Sequence, residues 1–297
     1  MTHIERLYPE FSHHTVSANG IHIPYVCAGS GPPLLLLHGF PQTRAIWHKV
    51  GPWLARSFTV IAADMRGYGD ASKPAGGADH ANYSKREMAG DQLALMRAVG
   101  YAHFGVVGHD RGARVGHRLA VDHPEVVTKL MLLDVSPTLA MYEQTTQTFA
   151  SAYWHWFFLI QPAPLPETMI GADPEFFLER FMGGRSAGLT PFTAEAWSEY
   201  LRAARDPACL HAMCEDYRAA AGIDLDHDRA DRAAGRKIEC PVRVLWGKQG
   251  VIERCFRPLD DWRRVACEVT GRALDCGHYI AEEAPAALLA EIEDFFQ

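Results

Sequence analysis

The segment Val106–Ala120 reads VVGHDRGARVGHRLA, and Asp110 stands within it at the centre of a frame of small residues, with Gly108 and Gly112 two positions to either side. Such a frame answers a steric demand: a sharp strand-to-helix turn strains its central residue, so the neighbours two positions away must lack bulk. The frame normally surrounds a reactive serine. A carboxylate there suits a different task, attack on a saturated carbon, in which it displaces a leaving group in line and becomes an ester. The plainer duty for such an aspartate is to cap the helix that follows. Arg111 comes next and Arg114 one helical turn later, so two guanidinium groups can converge on one small carboxylate. They also suit a second role, keeping Asp110 ionised.

An ester intermediate must be hydrolysed, which needs a base, a water and a place for the oxyanion. His278, in DCGHYIAEEAP ahead of the last helical stretch, is the candidate base, because an imidazole titrating near neutrality can take a proton from water. Two further segments carry donors that work while neutral. SAYWHWFFLIQPAPLPE, from Ser151, puts His155 beside Trp156, and CEDYRAAAGID supplies Tyr217. Imidazole, indole N–H and phenol O–H together suit a small hard anion as it departs.

These residues need a scaffold. PPLLLLHGF, FTVIAADMRGYG, HFGVVGHD and VTKLMLLDVSP are short apolar runs that end in turns, as expected of strands covered on both faces. Helical patterns lie between them: Ser84 to Glu87 predicts a capping box ahead of MAGDQLALMRAVG, and RVGHRLAVDHP ends at Pro124. The alternation predicts an α/β fold, with a mostly parallel central sheet, right-handed crossovers and helices on both faces. From about residue 137 to 237 the pattern becomes helical and aromatic, with the proline-rich connector QPAPLPE, and a strand and helix pattern resumes at CPVRVLWGKQG. The expected organisation is a core of residues 1–136 and 238–297 with a helical cap of residues 137–237 inserted as a lid.

Composition narrows the function. A chain of 297 residues, 48% apolar, can bury a large core. It has no apolar run long enough to span a bilayer and no leader-like start, which predicts a soluble cytoplasmic protein with no membrane partner. The seven cysteines lack metal-type spacing and read as thiols in a reducing compartment. A net charge of −7 without a basic block argues against nucleic acid as a partner. No metal or organic cofactor is expected. An anionic substrate would have to be attracted locally.

The frame around Asp110, between a strand and a helix, resembles that of the α/β-hydrolase family over nearly the whole chain. The resemblance implies the catalytic histidine at His278. It also implies that HGFPQT, His38 to Thr43, is the early turn whose backbone N–H at Phe40 pairs with that of Arg111 to receive negative charge. His38 and DMRGYGDAS are expected to be structural. Most members place the orienting acid after the strand represented by VRVLWGKQGVIER, but Gly250 and its neighbours supply no aspartate there. Asp134, one strand earlier and at a strand's carboxyl end, is the expected partner of His278, with Glu253 the competitor. In the haloalkane dehalogenase and epoxide hydrolase branches a tryptophan usually follows the aspartate, which suits a neutral substrate; here Arg111 does.

With HDRGARVGHR, YWHWFFLIQPAPLPE, CEDYRAAAGID and CGHYIAEEAP taken together, the chain is similar to fluoroacetate dehalogenases. That resemblance implies Asp110 as nucleophile, His278 as base and Asp134 as its partner. It implies Arg111 and Arg114 as a carboxylate clamp, and His155, Trp156 and Tyr217 as halide donors. The expected partner is a small haloacid, and members are often homodimers. The rival reading is an epoxide hydrolase using the same aspartate and histidine with lid tyrosines from among Tyr153, Tyr200 and Tyr217. A non-catalytic binding protein on the same fold is the third.

Overall fold

The computed structural model describes residues 1–77 and 79–297. Eight strands form one sheet in the order β1-β2-β4-β3-β5-β6-β7-β8. The ranges are β1 Ser12–Ala18, β2 Ile21–Ala28, β3 Pro33–Leu37, β4 Thr59–Ala63, β5 Phe104–His109, β6 Val127–Leu133, β7 Val242–Gly247 and β8 Val269–Leu274. Strands β4, β3, β5, β6, β7 and β8 run parallel, and β1 and β2 form an antiparallel edge. The central strands β4 and β5 are buried along their whole length, because helices cover both faces and every side chain, up or down, must be apolar or small. The parallel sheet is the one expected from the alternating pattern, and the whole is the α/β-hydrolase fold that the resemblance implies.

Between β6 and β7 the described chain is helical, from Thr138–Glu143 through Ile223–Ala234, and no strand interrupts it. This insertion packs over the carboxyl ends of β3, β5 and β6, which is where ligands bind in open α/β sheets. Helix Lys85–Ala98 begins at Ser84, whose Oγ accepts from the Glu87 amide at 3.2 Å. The capping box is only half formed. The Glu87 carboxylate accepts from Asn19 and Arg66 instead of turning back to Ser84, since a buried guanidinium outcompetes a backbone amide. Among the described residues no helix is long and apolar enough to cross a membrane.

Candidate active site

Asp110 sits between β5 and helix Arg111–Asp122 at φ 49°, a strained conformation for a residue with a side chain. Its neighbours show why the frame needs glycine. A Cβ at Gly108 would lie 2.6 Å from the Ala113 Cα, and one at Gly112 would collide with the carbonyl oxygens of Leu37 and His38. The helix therefore presses against β3, and the turn aims Asp110 upward toward the insertion. The Phe40 amide, just after β3, donates to Asp110 Oδ1 at 3.1 Å. The Arg111 amide, the other expected donor, makes no hydrogen bond to that carboxylate. His38 holds the Phe40 turn in place by accepting from the Met65 amide at 3.1 Å through Nε2.

His278 lies in the turn after β8. Its Nδ1 donates to Asp134 Oδ2 at 2.6 Å, and this leaves Nε2 free. Asp134 follows β6 at φ 53°, and its other oxygen accepts from the Gly247 amide at 2.9 Å. Glu253 is occupied elsewhere, by the Trp246 indole N–H. A Cβ on Gly250 would be 3.4 Å from Asp134 Oδ1, so the small residue at the usual acid position lies directly beside the aspartate from the earlier strand.

The structure brings the other expected residues to the same place, and none of the eight is more than 4% exposed. The Phe40 ring is the pillar among them, with centroids 5.2 Å from Tyr217 and 6.2 Å from His155, and His155 is 5.8 Å from Tyr217. Arg111 lies 4.2 Å over the Tyr217 ring and Arg114 4.8 Å over the Trp156 ring. His155 Nδ1, Trp156 Nε1 and Tyr217 Oη are all buried without a hydrogen-bond partner. Burying a donor unpaired costs about 1–3 kcal/mol, so three such groups beside Phe40, Arg111 and Arg114 are what a site that takes an acceptor would need.

The electrostatics favour an anionic nucleophile. Burial pushes the Asp110 carboxyl up, but the positive surroundings, led by His278 and Arg114 and including Arg111, outweigh it and hold the group well below the ordinary carboxylate range. His155 is the reverse. Burial, reinforced by Arg185, pushes it well below its ordinary value, so it stays neutral and offers an N–H without a charge.

The partners that each arginine already has limit the atoms it can offer to a ligand. Arg111 spends its Nε and Nη2 edge on Asp216, at 3.0 Å to Oδ2 and 2.6 Å to Oδ1, with Nη2 also 2.8 Å from the Asp216 carbonyl. Only Nη1 is left for a ligand, so Arg111 cannot grip one bidentately. Arg114 donates through Nη1 to the Ser136 carbonyl and Thr138 Oγ1, and its Nε is buried and unpartnered. A ligand carboxylate would thus receive one edge atom from each arginine.

Four residues that buttress the candidate site escaped the sequence reading. Asp216 also accepts from Tyr68 Oη at 2.7 Å and from Lys85 Nζ, and Arg111 and Lys85 together hold its carboxyl well down against the upward push of burial. His109, inside the frame itself, donates through Nε2 to the His278 carbonyl at 2.8 Å; burial lowers it to about 4, so it does this as a neutral group. Glu282, four residues past His278, is buried and accepts from Gln42 Nε2 at 2.5 Å and Tyr200 Oη at 3.0 Å. It ties the histidine turn to the Phe40 turn and to helix Ala194–Ala204 of the insertion. Lys85 lies in the first turn of a capped helix, ordinarily a solvated position, and only its burial reveals it.

Burial raises Glu282 to about 8 from an ordinary 4.5. The folded protein then keeps a proton that the unfolded chain gives up. Glu282 therefore subtracts stability as pH rises from about 4.5 to about 8, and nothing further above that. Glu282→Gln should remove this slope: thermal melts should show the variant gaining roughly 2–4 °C or more on the native protein at pH 8.5 relative to pH 5.5. Parallel melting curves at the two pH values would contradict a protonated Glu282.

Comparison with known proteins bears on the fold and the family. The family described as alpha/beta hydrolase fold matches residues 32–285. A fluoroacetate dehalogenase from Burkholderia sp is 45% identical over 94% of this chain and 91% of its own. A soluble epoxide hydrolase from Corynebacterium sp. (strain C12) is 36% identical over 97% of this chain and 98% of its own. The crystal structure of ALR0039 from Nostoc sp PCC 7120 superposes with a TM-score of 0.95 at 52% identity, covering 98% of this chain and 99% of that one. The chain belongs to the α/β-hydrolase family.

Proposed function

We propose that this protein is a hydrolytic dehalogenase that converts fluoroacetate or a related 2-haloacid to the 2-hydroxy acid and halide. The observation that carries this reading is the set of three buried, unpartnered donors, His155 and Tyr217 packed on Phe40 and Trp156 under the Arg114 guanidinium, beside an ionised Asp110. Arg111 Nη1 and Arg114 Nε take the substrate carboxylate. Phe40 occupies Asp110 Oδ1, so Oδ2 attacks the halogen-bearing carbon. A C–O bond forms, the C–X bond breaks, and the halide leaves with the bonding pair into the three donors. His278 Nε2 then takes a proton from water, and the hydroxide adds to the Asp110 carboxyl carbon. Negative charge gathers on Oδ1, where the Phe40 amide already points. Collapse of the adduct restores Asp110 and releases the hydroxy acid, and His278 returns its proton. Two anions must meet in the first step, and without the arginines their repulsion would raise the barrier.

Support comes also from the fluoroacetate dehalogenase among the relatives. One observation favours a second reading, epoxide hydrolysis: the Tyr153 and Tyr217 hydroxyls are both buried and unpartnered, as a pair that protonates a ring oxygen would be, and a soluble epoxide hydrolase is a relative. Tyr200 drops out, because its hydroxyl donates to Glu282. A neutral epoxide would leave two guanidinium edges unanswered. Halide release from fluoro-, chloro- and bromoacetate, measured beside ring opening of styrene oxide, separates the two. Halide is expected from the acids, with little opening of the epoxide; rapid opening without halide release would transfer the assignment.

A further inference from the structure

The buried arginines of this protein follow a rule. Arg66 pairs with Asp91 at 2.6 Å, Arg111 with Asp216 at 2.6 Å, Arg118 with Asp231 at 2.5 Å, Arg218 with Glu167 at 2.8 Å, and Arg44 with Asp64. Among the described residues two inward-facing arginines break it. Arg114 is explained by the substrate carboxylate. Arg185 is not.

Arg185 lies in the turn Gly183–Gly188 of the insertion, half-buried. Its guanidinium carbon is 4.9 Å from the Tyr153 ring centroid and 5.1 Å from that of Phe181, and it meets no carboxylate. Those two rings pack on His155, at 5.0 and 4.7 Å. The next residue, Ser186, rests so closely on Gly277 that a Cβ there would collide with it, which seats this turn on the one that carries His278. Two phenols complete the group. Tyr153 and Tyr279 are 2% and 1% exposed, and neither hydroxyl donates to an acceptor, the Tyr153 oxygen facing the Arg185 guanidinium. Burial raises both phenols, and each senses the positive charge of Arg185 and the negative charge of Asp110. Phenol O–H groups and a guanidinium edge are donors without an acceptor, and a half-buried guanidinium flanked by aromatic rings and facing no carboxylate suits an anion.

We propose that Arg185, with the hydroxyls of Tyr153 and Tyr279, forms a second carboxylate-binding subsite, separate from the Arg111–Arg114 pair. The proposal rests on the haloacid reading of the site. Two sources can supply the carboxylate: the second acid group of a 2-halo dicarboxylic acid bound for reaction, or the single acid group of a monoacid passing into the closed site.

The test compares bromoacetate with 2-bromosuccinate in the native protein, Arg185→Gln and Arg185→Lys. The native protein should release bromide from both. Arg185→Gln should lower kcat/KM for bromosuccinate by about tenfold or more, with partial rescue in Arg185→Lys. If kcat/KM for bromoacetate holds while that for the diacid falls, the subsite holds a resident second carboxylate. If it falls for bromoacetate with kcat unchanged, and the loss fades as salt is added, the subsite acts in transit. Equal kcat/KM values in native and Gln proteins for both acids would overturn the proposal. A binding arm is independent of turnover: malonate should raise the melting temperature of the native protein more than acetate does, and Arg185→Gln should lose that difference. Should neither acid yield bromide, the dehalogenase reading fails while the malonate result still decides the subsite. Equal malonate stabilisation of both proteins removes it.

Discussion

Asp110→Asn is expected to abolish halide release from haloacetates, by about 10⁴-fold or more, while leaving the fold intact. An amide cannot displace a halide and form an ester that water then cleaves. Asn and Asp tolerate positive φ about equally, so the strained turn should survive, and circular dichroism would check it. Loss of activity alone does not prove a covalent route, so two companions are needed. His278→Asn removes the group that activates water but not the nucleophile, and mass spectrometry after haloacetate treatment should find the acid's mass added on the peptide containing Asp110. In heavy-oxygen water, one turnover of the native protein should place the label in Asp110 and not in the hydroxy acid, because water attacks the enzyme's carboxyl carbon. Label in the product with none in the protein would mean that water attacks the substrate directly, with Asp110 acting only as a base.

The parts of this site that could be read from the chain are those set by local geometry. Gly108 and Gly112 announce the turn because backbone collisions there exclude any side chain, and collisions depend only on near neighbours. Asp134 could be preferred over Glu253 because a residue at the carboxyl end of a parallel strand has one direction to point, toward the helices of the insertion. The adjacent donors His155 and Trp156 share one short helix, Trp154–Phe158, so one segment carried both. What stayed hidden depends on partners far apart in the chain. Asp216 meets Arg111 from 105 residues away and Lys85 from 131. Neither spacing leaves a periodic trace, and an aspartate in a helix of mixed polarity reads as solvated. The free atoms of the two arginines stayed hidden for the same reason: two arginines one helical turn apart share a face, but which edge of each is free is decided by what is placed against them.

That placement leads to the second large effect. Asp216 is fully buried and collects Arg111, Lys85 and Tyr68, so it fixes the one guanidinium edge that remains for substrate. Asp216→Asn should lower kcat/KM for haloacetates by about 10²-fold, mostly through KM, as expected for loss of a hydrogen-bonded charge pair that aims a binding group. Bromoacetamide, which presents no carboxylate, should lose far less. The variant also breaks a buried pair and leaves Lys85 with Asp224, at 3.7 Å, as its remaining counter-charge, a change that costs up to about 3–5 kcal/mol. Instability could then mimic a catalytic defect. Adding Lys85→Met removes the surplus cation but restores nothing to hold Arg111, so Lys85→Met/Asp216→Asn should recover melting temperature and keep the raised KM. If the double variant recovers both, Asp216 serves only to neutralise charge, and the orientation of Arg111 is set by its stacking on Tyr217 instead. That outcome would put control of the carboxylate grip on the ring beside Asp216 and not on its carboxylate.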